Sequence, residues 1–324
     1  MFGLSKIIRP FFSNVFMAIN IDSNICYIKV LRLKESKVVE EFDREFRILD
    51  DELPIEMIKF IKNYKRRFPF SYIGVISKTY NQGIFNTKKI DELHKIGIEP
   101  TECRILKFKD WCAYIKKTEI LEMQKYFSRF GGVDYVFSPF VLMFFSIQNK
   151  IDDKLRLYVL CEKSNIALFV ANKNNAYFGG YFMIEGEIEQ VSRSSTLGTL
   201  ENQNTQDKDQ YSLEEFENLD LGFIQEEEEE DQEIEQIKNV SQTVDDIAKA
   251  SVIANVIQSS LNEFYANEFY DEGFVEEVVC LDSFDMTSEM VACIQDITML
   301  EVSRQQFFLQ EELLSLTQRE FRGR

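Results

Sequence analysis

A single histidine, His94, serves all 324 residues, and that scarcity leaves little room for histidine-dependent nucleophilic catalysis. A Ser-His-Asp or Cys-His arrangement would have to use it, yet it stands in the middle of a charged helical pattern with no nucleophile-elbow sequence nearby. The phosphate-cradling patterns GxxxxGK(S/T) and GxGxxG are absent. Six cysteines, Cys26, Cys103, Cys112, Cys161, Cys280 and Cys293, form no CxxC pair and follow no regular spacing, so neither a disulfide framework nor a zinc site is expected. They fit a reducing cytosol, where cysteine behaves as a small apolar residue. No stretch approaches the roughly 20 uninterrupted apolar residues that span a bilayer. The opening MFGLSKIIRPFF is broken by Pro10, Ser13 and Asn14 and leads to no small-residue cleavage site. The expected location is the cytoplasm, with the first dozen residues a weak membrane-surface contact.

A net charge of −18 argues against nucleic acid as a partner, because a phosphate-binding surface needs lysine and arginine in excess. The charge is unevenly spread. Fifteen Asp or Glu against two Lys fall between residues 201 and 238, which accounts for thirteen of the eighteen excess negative charges. Residues 190–240 are also rich in Ser, Thr, Asn and Gln, include the unbroken acidic run 226–231, and have too few large apolar residues to bury, so they read as a solvated disordered insertion. The pairs Glu40-Glu41, Asp50-Asp51 and Asp152-Asp153 lie in polar stretches and read as solvated faces.

What is present is α/β grammar. Residues 15–33, VFMAINIDSNICYIKVLRL, form two apolar strands joined at Asp22-Ser23-Asn24, whose side chains supply the local hydrogen bonds of a turn. A half-exposed strand over 37–48 and a helix over 53–68, with Ile55, Ile58, Ile61 and Tyr64 on one face, precede a short buried strand at 71–77. Residues 79–132 read as a small inserted α/β subdomain with helices over 88–96 and 118–130. A strand at 133–137 and an apolar helix opened by Ser138-Pro139 follow. Hairpin grammar returns over 155–184. Ser164-Asn165-Ile166 there repeats Ser23-Asn24-Ile25 at the corresponding turn, which argues for a duplicated fold. Beyond the acidic segment, Thr243 caps a helix to residue 265 with Ile247, Ile253, Ile257, Leu261 and Phe264 on one face. A strand at 274–281, a helix at 287–296, an edge strand at 299–302 and a helix at 305–321 complete the chain. The last helix carries Phe307, Phe308, Leu313, Leu314 and Leu316, a face broad enough to pack on the second half or on another subunit.

Duplicated strand-turn-strand units of this kind resemble the actin-like superfamily, built from ribonuclease-H-like subdomains. Within it the chain resembles the PilM family of type IV pilus assembly proteins, relatives of the divisome protein FtsA. The resemblance is carried by AINIDSNICYIKVLRLK, by VDYVFSPFVLMFF, by IQSSLNEFYAN and by VEEVVCLD with the helix after it. It implies a terminal segment 1–14, a first actin-like subdomain over 15–150 containing the insertion 79–132, and a second one over 151–189 and 241–324, split by the acidic 190–240.

In that family the first hairpin turn carries an Asp near the nucleotide's metal and a Gly that lets the backbone approach the phosphates. Here Asn20 and Asp22 stand at those positions, followed by Ser23. Cys161, Glu162 and Lys163 replace the second hairpin's Asp-x-Gly, and Asp282-Ser283 replaces the adenosine-binding Gly-Gly. An acidic side chain aimed at phosphates repels them, so the substitutions imply no catalytic residue, no metal and no required cofactor, ATP included. The resemblance further implies a cytoplasmic scaffold, peripheral to the inner membrane. Such a scaffold holds the N-terminal tail of a bitopic PilN-like protein between the first subdomain and its insertion, and reaches a PilO-like protein indirectly. The assembly would be a type IV pilus, a type II secretion system or a flagellar motor using PilM, PilN and PilO-like parts, with homo-oligomers open. Tyr80, Phe85, Phe108, Trp111 and Tyr114, in or beside the insertion, are the candidate tail anchors. Two other readings use the same fold: an active or polymerising ATPase in which Asp22 and Glu162 bind metal from shifted positions, and a sugar or acetate kinase.

Overall fold

The computed structural model describes residues 12–49, 52–87, 93–94, 97–184, 226–266 and 273–322. The expected helix over 88–96, most of the 1–14 segment and the acidic stretch up to residue 225 therefore lie outside the described residues.

The chain opens as a meander of β1 (Asn14–Asp22), β2 (Ile25–Lys34) and β3 (Lys37–Arg47). Ser23 turns the first hairpin with a positive φ of 52°, and Glu35 and Ser36 turn the second with φ of 50° and 65°. Two successive left-handed residues of that kind match the right-handed twist of the flanking strands. Helix α1 (Ile55–Arg67) then carries the chain to β4 (Phe70–Ile76), which pairs parallel with β1, and β8 (Tyr135–Phe137) extends the sheet to the order β3-β2-β1-β4-β8. The α1 stripe falls largely where expected, with Ile61 buried and Ile58 and Tyr64 packed partly buried on the same core. Met57 and Ile61, one turn apart, are fully buried against Val15, Met17, Ile73 and Val75, whereas Ile55 at the helix start faces solvent.

The second half repeats this plan. Strands β9 (Arg156–Cys161), β10 (Asn165–Ala171) and β11 (Ala176–Met183) form the meander, α4 (Glu226–Ala266) is the connecting helix, and β12 (Glu277–Asp282) pairs parallel with β9. Helix α5 (Ser288–Thr298), capped by the Thr287 side chain on Met290 N, leads to β13 (Glu301–Gln306) at the edge, giving the order β11-β10-β9-β12-β13. Helix α4 takes in the acidic run 226–231. One expectation is corrected here: Ile247 is 47% exposed because the buried face of that helix runs through Ala250, Ile253, Ala254, Ile257 and Phe264. The strand begins at Glu277, leaving Phe274 at the surface, and residues expected at the start of the last helix belong to β13.

Between β4 and β8 lies the inserted sheet, β5 (Gln82–Phe85), β6 (Cys103–Lys107) and β7 (Cys112–Lys116) in the order β5-β7-β6, followed by α2 (Lys117–Tyr126). Gly131, left-handed with a φ of 95°, ends the following turn. The insertion is not confined to its own half. Ile84 of β5 packs so closely on Gly179 of β11 that an added Cβ there would stand 2.8 Å from it.

Each half sends its last helix to the other. Helix α3 (Pro139–Ile147), which follows β8, packs on β10; α6 (Leu309–Arg322), which follows β13, packs on β1, β2 and β4. The broad apolar face of α6 is thus covered by the first half, where Phe321 meets Phe16 and Tyr72, and an added Cβ on Gly74 would overlap Thr317 Oγ1. Lys29 to Glu311 at 3.3 Å and Ser146 Oγ to Glu312 at 2.8 Å frame the contact. Phe16, Phe140, Leu160, Phe169 and Leu313 consequently belong to one core that both halves share.

Because that core is common, Phe140→Ala should cost about 3–5 kcal/mol and destabilise both halves together. Urea unfolding followed by Trp111 fluorescence and by far-UV circular dichroism should give coincident transitions at a lower midpoint. Separated transitions would mean that the halves have independent cores.

Candidate functional site

Strand alternation sends Ile19 and Ile21 of β1 to one face and Asn20 and Asp22 to the other, where the second half approaches. Asn20 and Asp22 are both buried, as are Glu162, Ser164 and Asn165 of the opposite turn. The Asp22 carboxylate is the centre of the junction. Its Oδ2 accepts from Lys163 N at 2.7 Å, and its Oδ1 accepts from Ser164 N at 2.9 Å and Ser164 Oγ at 2.6 Å, with Asn165 Nδ2 at 3.5 Å. Ser23 N in turn donates to Ser164 Oγ at 3.0 Å. Alongside, Glu162 Oε2 accepts from Asn20 Nδ2 at 2.9 Å and from Lys78 Nζ at 2.7 Å. Lys78 follows β4, and Gln82 Nε2 fixes its loop by donating to Ser77 O and Thr79 O.

The two carboxyls are tuned in opposite directions. Burial pushes Glu162 above the usual carboxyl value of 4.5; the Asp22 charge adds to this, while Lys78 and Asn20 oppose it. Burial would also raise Asp22, but the Lys78 charge, the Ser164 hydroxyl and the backbone amides of Lys163 and Ser164 outweigh it and hold that carboxyl below 3.8. On the far side, Lys249 of α4 lies with its ammonium 3.3 Å from the centre of the Phe284 ring, and burial lowers its pKa to about 8.

Asp282 does not face this space. It is fully buried and accepts from Phe284 N at 3.0 Å, Met286 N at 2.9 Å and Arg304 Nε at 2.7 Å, so it staples its own turn, while Ser283 Oγ donates to Cys161 O. What opens beside the junction is a cavity of about 330 Å³ lined by Tyr27, Asp43, Glu45, Lys163, Phe284 and Asp285 among others. With Asp22 and Arg44 also in the lining, four acids face two bases there, an excess of negative charge that disfavours a polyphosphate. Among the described residues no group of three or more metal-ligating side chains converges.

The expected tail anchors are dispersed. Trp111, 3% exposed, stacks on partly buried Phe108 at 3.9 Å and meets Phe144 and Phe169, and Phe85 is buried with Leu93 and Cys112; Trp111 and Phe85 are core residues, not groove anchors, and Phe108 packs against that core. Tyr114 is half-buried beside Gly83, and Tyr80, 57% exposed, is at the surface. The open trough lies elsewhere. A cavity of about 410 Å³ runs between the ends of β1 and β4 and helix α2, lined by Ile21, Val75, Lys78, Glu122, Met123 and Tyr126 among others. A second cavity of about 450 Å³ shares Glu122 and Tyr126 with it, so the trough continues along α2. The sequence signals for these residues were the Met123/Tyr126 pair at helical spacing and Lys78 at the end of a central parallel strand, where sites in α/β sheets form.

The opposite tuning has a measurable sign. Asp22, depressed in the fold, contributes stability that is complete above pH 3.8 and is lost as pH falls through its folded pKa; Glu162, raised in the fold, removes stability as pH rises above 4.5 until it ionises. The difference in thermal midpoint between wild type and Glu162→Gln should therefore move in the variant's favour as pH rises from about 4.5, since the variant lacks that titration. A pH-independent difference would show that Glu162 carries no raised pKa.

The chain matches two family models, each described as a domain of unknown function: DUF8569 over residues 11–144 and DUF8341 over residues 157–322. Among curated proteins none matches the sequence. Among solved structures it is similar to a PilM-PilN type IV pilus biogenesis complex, at 10% identity and a TM-score of 0.53, over 94% of this chain and 98% of that one. It is also similar to a Bacteroides thetaiotaomicron protein with actin-like ATPase fold and unknown function (9% identity, TM-score 0.41, 93% and 96% covered). A third likeness is to the ethanolamine utilization protein EutJ from Carboxydothermus hydrogenoformans (11%, 0.41, 94% and 89%). The first of these, together with the repeated sheet order and the exchanged helices, makes the fold actin-like. With one model spanning half of its length, the chain belongs to the family described as domain of unknown function DUF8341, here on an actin-like fold.

Proposed function

We propose that this chain is a PilM-like scaffold that captures the N-terminal tail of a PilN-like inner-membrane protein in the trough along α2. In this reading it works without nucleotide hydrolysis and is no enzyme, sits at the cytoplasmic face of the membrane, and reaches a PilO-like protein through its partner. The observation that carries the reading is the pairing of an open apolar trough, lined by Ile21, Val75, Met123 and Tyr126, with an interdomain junction filled by the chain's own side chains. An extended peptide can lay alternate side chains into such a trough, and partly exposed Tyr126 is the kind of aromatic anchor that concentrates binding energy. The fold likeness to a PilM-PilN complex supports the same occupant. No helix among the described residues is long and apolar enough to cross a membrane, so attachment is assigned to the partner. The assembly served is a pilus-like apparatus or a flagellar motor built with PilM, PilN and PilO-like parts.

Titration of the full-length protein with cytoplasmic tail peptides of candidate bitopic partners should give saturable binding. Tyr126→Ala should weaken it at least about tenfold, or about 1.4 kcal/mol, while Tyr80→Ala leaves it unchanged. ATP with magnesium should give no heat. Magnesium-dependent ATP turnover, or peptide binding indifferent to Tyr126, would overturn the reading.

A further inference from the structure

Three elements far apart in sequence come together at one end of the first half. Strands β1 and β4 start there, β2 ends there, and the β2-β3 turn closes with Lys34 opposite Lys37. Helix α1 descends one face of that sheet and finishes in Lys65, Arg66 and Arg67. Helix α6 descends the other face, where Phe321 reaches Phe16 and Tyr72, and finishes in Arg319 and Arg322. Bases in the last turn of a helix complement its dipole and by themselves call for no ligand. Lys34 and Lys37 are on a hairpin, however, and all seven side chains except half-buried Lys65 are exposed. Arg67 and Arg319 lean on the rings of Phe68 and Phe145, which leaves their charge unneutralised. No salt bridge is made by the seven among the described residues. The neighbouring acids do not balance them, because Glu40 is taken by Arg32 at 2.8 Å and only Glu35 and Glu320 remain. A local excess of positive charge is thus set into a chain of net charge −18. Apolar side chains stand beside it: Phe12, in edge contact with Phe70 at the start of β4, and Val38 and Val39 at the start of β3 are all exposed.

We propose that this end of the first half is a docking face for an anionic phospholipid bilayer, with the bases of the hairpin and the two helix ends on headgroup phosphates and Phe12, Val38 and Val39 at headgroup depth. Charge complementarity selects the orientation. A negative surface potential, acting over a Debye length of about 10 Å, attracts this end and repels the acidic bulk of the chain. The apolar neighbours select lipid over an acidic protein segment, which the charge alone would also satisfy, because aromatic and aliphatic side chains beside Lys and Arg partition into the headgroup region. The chain also enters β1 at this end, and the residues leading to Phe12 set Lys6 and Arg9 among Phe2, Leu4, Ile7, Ile8 and Phe11, the same mixture. The inference goes beyond the trough along α2 and does not rest on it: the trough opens at the opposite end of β1, nine residues or about 30 Å away, so a partner tail rising from the bilayer has that length to cover before it enters.

The test is flotation of the full-length protein with vesicles of phosphatidylcholine alone and of phosphatidylcholine containing about one-third phosphatidylglycerol. The protein should float with the second and not with the first. It should be released at about 1 M salt, where the Debye length falls to about 3 Å. Reversing three exposed bases of the face together, Lys34→Glu, Lys37→Glu and Arg66→Glu, should lower the partition coefficient at least about tenfold. The same change of net charge on exposed residues of the insertion, Arg104→Glu, Lys107→Glu and Lys109→Glu, should leave it within about twofold. Both triple variants should melt as wild type does and bind a tail peptide as wild type does, so that failure of this inference and failure of the trough reading are read separately. No flotation of wild type, equal flotation with neutral vesicles, or equal losses in the two triple variants would each overturn the proposal. Capture of polyglutamate by this face in place of anionic vesicles would assign it to an acidic protein segment and overturn it as well.

Discussion

The carboxylate of Asp22 stands where two sheets end and two halves of a chain meet, and its desolvation is tolerable only because the opposite turn presents donors at 2.6–2.9 Å. A buried charge satisfied this way is unforgiving: moving the turn by an ångström would leave an ion without partners, and replacing the acid would leave amides without an acceptor. The relative setting of the halves is therefore specified by hydrogen bonds at their seam as well as by the apolar core behind it. Glu162, Asn20 and Lys78 extend the same seam toward the insertion. Lys78 is shared, because it lines the trough beside α2 while its ammonium reaches Glu162 across the junction.

Much of this fold was legible in the residue order. The first hairpin, the apolar helix opened by Ser138-Pro139, and the second hairpin all announce themselves through apolar runs broken by Asp, Ser and Asn, and the Ser-Asn-Ile echo marks turns that the structure brings face to face. Other features were hidden for physical reasons. Strand β5, QGIF, is four residues long and borrows its partners from β7 and β11, so no local period reveals it. The extension of α4 back to Glu226 runs through acidic residues that carry no apolar stripe.

The candidate site was legible in identity and not in role. Asn20, Asp22, Glu162 and Asp282 stand out as departures from a nucleotide-binding pattern, but a departure says only what is missing. That Asp22 meets the amides of Lys163 and Ser164, whereas Asp282 holds its own turn and Arg304, depends on contacts across 22 to 142 residues that spacing does not encode. The aromatic residues misled for a related reason. Trp111 and Phe108 stand among the candidate tail anchors, yet Trp111 is buried and Phe108 partly buried because α3 supplies Phe144 and β10 supplies Phe169 from outside the insertion.

The exchange of helices between the halves also bears on how the molecule is made. Strands β1, β2 and β4 emerge early in synthesis, but one face of their sheet waits for α6, the last element described. Until some 240 further residues have been added after β4, Phe16, Leu31 and Tyr72 have no permanent cover. A nascent chain with an apolar sheet face open for that long is exposed to aggregation and to capture by chaperones. The same delay makes the first half a poor candidate for life as a separate fragment, since the helix that completes it is encoded at the far end of the other half.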